Sequence, residues 1–125
     1  HTFGDIMIYL PEQKILFAGD IAFYWVAPFC HNAHPTKWME ACDKILSMDV
    51  KTIIPGHGPI MKKADVVKFR NDIVAMRTRV SSAIKGGASQ DQVTKLLTSE
   101  FGWQEGGMQL RMGGPGMYNE LKAAN

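Results

Sequence analysis

Apolar positions in the first sixty residues come in short runs; beyond them they recur at wider, regular intervals. Residues 5–10, Asp-Ile-Met-Ile-Tyr-Leu, and residues 14–18, Lys-Ile-Leu-Phe-Ala, flank Pro11-Glu12-Gln13. β-branched and aromatic residues on either side of a turn-forming insert predict a β-hairpin. Asp20 follows Gly19, so it is expected just past the end of the second strand. Residues 21–35 mix aromatics, two prolines and two histidines and read as a long irregular loop. Trp38, Ala41, Cys42, Ile45 and Leu46 then recur at helical spacing, which predicts a helix over 37–47 with Thr36 as its N-cap. Val50 to Ile54 reads as a brief buried strand, and Pro55-Gly56-His57-Gly58-Pro59 as a rigid turn.

The second half has a longer period. Val66, Phe69, Ile73, Met76, Val80 and Ile84 form one apolar stripe, predicting a helix over 64–85 that Gly86-Gly87 ends. Ser89 is placed to cap another helix over 90–100, with Val93, Leu96 and Leu97 on one face. Residues 102–116 are glycine-rich and read as a loop; residues 117–122 read as a last helical turn. Strands alternating with helices give an α/β class, or α+β under a stricter scheme, with helices on one face of a mixed sheet. A sheet made from these strands alone leaves an apolar face or edge open.

With 125 residues, the chain has room for one ordinary domain. At 46% hydrophobic and 21% charged it has globular composition. A net charge of +2 without a Lys/Arg cluster argues against nucleic acid as a partner. The sequence holds no apolar run of about 18 residues, so it carries no membrane-spanning helix. Cys30 and Cys42 make no disulfide framework and read as reduced, partly buried thiols. No targeting pattern fixes a compartment; the cytoplasm is favoured. The methionines read as gap-filling core residues.

Three polar residues stand where turns meet strand-like runs: His1, Asp20 and His57. Side chains at strand ends converge on one edge of a sheet. Histidine and aspartate suit zinc, iron or manganese, and a carboxylate can face two cations at once. Taken singly, a histidine in a glycine-rich turn is more often structural. Taken together, His1-Thr2-x-Gly4-Asp5, Leu16-Phe17-x-Gly19-Asp20 and Pro55-Gly56-His57-Gly58-Pro59 resemble, in order and interval, the second half of the metallo-β-lactamase-fold hydrolases. The resemblance is close over 1–60, the sheet and metal motifs. It is weaker over the helical tail, 61–125, which resembles the glyoxalase-II-like and lactonase-like members.

That resemblance implies a partial domain over 1–125, half of an αββα sandwich. It makes His1 the third histidine of a first metal site, Asp20 the carboxylate between both metals and His57 the histidine of the second. It implies zinc, with iron or manganese as alternatives, and hydrolysis of an ester, thioester, lactone or β-lactam bond in a small-molecule substrate. The chain departs from the family at one point: none of His1, His31, His34 and His57 forms the H-x-H-x-D-H segment of the first half. A chain cut at a family motif also accounts for a first residue that is His1 rather than methionine. One histidine per metal and one shared aspartate are too few for catalytic zinc, which takes about three protein ligands. The expected partner is the missing N-terminal half, or a second copy; alone, the chain is expected to be inactive or nearly so, and a metal-free fragment is one outcome. The alternative is an oligomeric scaffold or binding module that kept the fold and lost the chemistry.

Cys30-His31-x-x-His34 is a compact set of metal-capable donors between Pro28 and Pro35. By the resemblance this stretch lines the substrate pocket; a surface placement and a separate zinc or copper clip are the other readings. Tyr24, Trp25 and Phe29 line the same pocket or pack the core.

Overall fold

The computed structural model describes residues 4–23 and 35–124, the side chains of Pro35 and Met112 excepted. Among the described residues the order is β1 (Ile8–Leu10), β2 (Ile15–Phe23), α1 (Pro35–Ser47), β3 (Thr52–His57), α2 (Lys63–Lys85), α3 (Gln90–Phe101) and α4 (Gly114–Ala123). A π-helical turn, Gln109–Gly113, leads into α4. The class is mixed α/β, as the alternation of patterns predicts. The described residues divide into two compact units, the first made of 4–23 and 36–72, the second of 73–124 together with Pro35.

The first unit is built on a sheet of order β1-β2-β3. β1 runs antiparallel to β2, and β3 parallel to it. A parallel neighbour needs a crossover, and α1 lies in the connection that supplies it. The hairpin turn closes where the Lys14 amide donates to the Pro11 carbonyl at 3.3 Å, with Lys14 in the left-handed region at φ 55°. Its carbonyl then accepts from the amides of Lys51 and Thr52, at 2.9 and 3.2 Å. Lys14 also pairs with Asp49 at 2.6 Å, and the Tyr9 hydroxyl donates to the Asp49 carbonyl at 2.7 Å. These bonds tie the hairpin to the chain entering β3.

Alternation along β2 separates two faces. Leu16 and Ala18 are fully buried, while Phe17 between them is 41% exposed. Ile53, paired with Leu16, is buried beside it, and Trp38, Cys42 and Ile45 of α1 and Val66 and Phe69 of α2 are buried as well. Trp38 meets Phe69 edge-on with centroids 5.6 Å apart, and Phe23 meets each of them at 5.9 Å. The opposite face stays open: Ile8, 57% exposed, stands directly across from Phe17, and Leu10 is exposed beside Ile15. This is the uncovered apolar face that so few strands were expected to leave.

The second unit is mainly helical over its described residues. Ile73, Met76 and Val80 continue the buried stripe of α2. Ser89 and Gln92 close a capping box at the start of α3, each side chain bonding the other's amide. Arg79 and Glu100 form a two-pronged ion pair at 2.8 and 2.7 Å between α2 and α3. Leu110, Met117 and Leu121 are buried with Val93 and Leu97 of α3.

Four expectations need correction. β2 does not stop before Asp20; it runs to Phe23. Thr36 lies inside α1, which starts at Pro35, a residue whose missing amide costs nothing in a first helical turn. β3 does not end at Ile54: it carries Pro55, Gly56 and His57. Proline is tolerated there because β3 is an edge strand among the described residues, so the N–H that proline lacks is not owed to a neighbouring strand. Residues 102–116 are not all loop, because burial of Leu110 and Met117 outweighs the glycines around Pro115, which sits in the first turn of α4.

Candidate metal centre at the ends of β2 and β3

The pairing of β2 with β3 is regular from Ile15↔Thr52 to Phe17↔Ile54 and then slips. The next pairs are Gly19↔Pro55 and Phe23↔His57. Asp20, Ile21 and Ala22 therefore stand opposite Gly56 alone. Such a bulge bends its strand and re-aims a side chain. Here it turns Asp20 toward the end of β3, where Asp20 Oδ1 lies 3.4 Å from His57 Nε2.

The surroundings hold both groups. The His57 ring leans on Phe23, with centroids 5.6 Å apart and planes tilted by 47°. The indole of Trp38 donates to the Ile21 carbonyl at 2.6 Å, fixing the bulge next to Asp20 from below. Asp20 and His57 themselves remain open to solvent, with side chains 36% and 65% exposed. They form a rim above an apolar floor.

The donor chemistry suits a divalent cation. Two atoms that each sit 2.0–2.2 Å from one tetrahedral ion lie about 3.4 Å apart. Oδ1 of Asp20 and Nε2 of His57 have that separation already. The same distance also serves a loose ion pair with a protonated imidazole. Among the described residues, no group of three or more His, Cys, Asp or Glu side chains is assembled to hold a metal ion. The structure thus brings two of the three sequence candidates together. The third, His1, lies outside the described residues. So do Tyr24, Trp25, Phe29, His31 and His34, and with them the Cys30-His31-x-x-His34 clip.

Sequence reasoning missed three supports of this site: the bulge, the Phe23 ring and the Trp38 bond. Gly56 lies within β3 rather than in a turn, and a glycine within a strand often marks a close approach of neighbouring groups.

Residues 1–57, which end on His57, match the metallo-beta-lactamase superfamily. Over 96 residues the chain is 27% identical to "Beta-lactamase-like protein 2 homolog" of Caenorhabditis elegans, a match covering 77% of this chain and 32% of that protein. The chain therefore spans about a third of the length of that relative.

Proposed function

We propose that this chain is a segment of a metal-dependent hydrolase of the metallo-β-lactamase superfamily, and that Asp20 and His57 are two of its metal ligands. The observation that carries the reading is their convergence at 3.4 Å on a β-bulge, inside the matched residues. His1 is the third donor from this chain. Zinc is the metal that best fits an imidazole-carboxylate set, with iron or manganese as alternatives. When bound, such an ion lowers the pKa of water and polarises a substrate carbonyl.

The residues of the chain divide the work. Asp20 offers an anionic carboxylate that can face two cations. His57 offers a neutral nitrogen, its ring kept in place by Phe23. Phe23 and Trp38, both buried, keep water from the back of the site. Tyr24, Trp25, Phe29, His31 and His34 shape the approach of a small-molecule ester, thioester, lactone or β-lactam. The remaining ligands come from a second αβ half that also covers the open face of Ile8, Leu10 and Phe17. Without it the chain is inactive.

Metal content per chain and mass in solution test this reading, on protein purified without chelator, alone and with an αβ half carrying H-x-H-x-D-H. The expected result is about one zinc ion or more per chain in the two-part complex, lost in His57→Ala, with hydrolysis of at least one of the four bond types. A folded complex that takes up no zinc overturns the reading.

A further inference from the structure

We propose that Gly56 is a positioning residue: the space left by its missing side chain is the seat of the Asp20 carboxylate, and holds that carboxylate toward His57. The inference rests on the reading of Asp20 and His57 as ligands, and deepens it.

Two reasons can place a glycine in a site: backbone freedom or space. Gly19 and Gly58 have the first, with φ of 52° and 93°, in the region that favours glycine. Gly56 has no such need, since it is absent from the positive-φ positions and sits within β3. Its backbone conformation is open to any residue. Space is what it supplies. A Cβ built on Gly56 would fall inside the van der Waals envelope of Asp20 Oδ1, far closer than real atoms come. It would also stand 3.0 Å from the Gly19 carbonyl carbon and 3.1 Å from the Asp20 amide nitrogen. The bulge explains why: with Asp20, Ile21 and Ala22 opposite one residue, the Asp20 side chain has to lie across the neighbouring strand. It can do so only where that strand has no side chain. Even alanine forces the carboxylate to leave, and the 3.4 Å approach to His57 goes with it.

The test is a double-variant cycle with two readouts. Melting temperature is measured for Gly56→Ala in the wild-type background and in Asp20→Ala, with Gly58→Ala as a control for backbone strain. Contact predicts a smaller loss for Gly56→Ala once Asp20 has been trimmed, the part set by the backbone atoms of Gly19 and Asp20 remaining in both backgrounds, whereas independent sites add. Gly58→Ala should cost the same in both backgrounds. Equal losses for Gly56→Ala in the two backgrounds, complete unfolding of both included, overturn the inference. The second readout is the affinity for Co(II), followed by its visible absorption, in the chain joined by its complementary half. Gly56→Ala is expected to weaken it roughly 10- to 100-fold, as for other residues that orient a ligand; unchanged affinity overturns the inference. If the wild-type complex binds no Co(II), the proposed function fails, and the melting cycle alone decides the role of Gly56.

Discussion

The indole N–H of Trp38 donates to the main-chain carbonyl of Ile21 across 2.6 Å, one residue beyond Asp20. Trp38 is 1% exposed, and Phe23 and Phe69 both meet it edge-on. One side chain of α1 thus satisfies a carbonyl that the bulge withdraws from regular pairing, and anchors the strand that carries Asp20. Trp38→Phe keeps most of the ring and removes the donor. It leaves the Ile21 carbonyl without that partner and a void where the larger ring stood. The expected cost is about 2–4 kcal/mol in urea unfolding. By contrast Asp20→Ala at a half-buried position and His57→Ala at an exposed one should each move stability by roughly 0.5 kcal/mol or less. A Trp38→Phe cost no larger than theirs would show that the bond does not hold the bulge.

What the sequence made legible was the local part of the fold. The stripe from Val66 to Ile84 and the Ser89 cap are repeats and signals within one element, and α2 and α3 stand where those signals put them. Features that depend on a second strand were not legible. Pro55 argues for a turn in any single stretch, and only the edge position of β3 makes it harmless. The bulge is a mismatch between β2 and β3 and is written in neither alone. So the pairing of Asp20 with His57 was readable as two strand ends converging, while the reason for Gly56 was not. In the tail, glycines at 113, 114 and 116 argued for loop, and tertiary burial of Met117 and Leu121 decided for helix.

Acid should weaken the first unit through two carboxylates. Asp43 accepts two bonds from the Arg70 guanidinium, and Asp49 accepts from Lys14. Those bonds hold both carboxyls below their ordinary value of 3.8. A carboxylate lowered on folding stabilises at pH above its unfolded value, and that contribution is lost as pH falls through the folded one. Both pairs are exposed, so the effect is modest and screened by salt. The melting temperature of Asp43→Asn should lie below wild type at neutral pH, the gap should close below about pH 4, and high salt should narrow it. A gap that widens in acid would contradict this assignment.

Cys42 should be chemically silent in the folded chain. It is fully buried, and burial pushes its thiol up to about 12, with Asp43 pushing the same way and Arg70 opposing. The thiolate is the reactive form, so both access and ionisation are denied. At about pH 8, iodoacetamide should leave the Cys42 peptide unmodified in native protein and label it fully in concentrated urea. Peptide mapping reads it apart from Cys30. Labelling of Cys42 in native protein at the rate of a free thiol would mean that α1 opens from the sheet.

The open sheet face should make the isolated chain stick to itself. Ile8 and Phe17 face each other across β1 and β2 and are both substantially exposed, with Leu10 beside them. Among the described residues β1 is also an edge, which offers its outer backbone groups to another strand. Ile8→Lys and Phe17→Lys put charge where apolar area now meets water. Neither position is buried, so each should change folding stability by only about 0.5 kcal/mol. Sedimentation should show wild-type chain in concentration-dependent oligomers and the double lysine variant as monomer. If the proposed partner is an αβ half, it should dissolve the wild-type oligomers into a one-to-one complex and should fail to bind the double variant. Wild-type monomer at all concentrations, together with undiminished binding of that half by the variant, would mean that this face is not a docking surface.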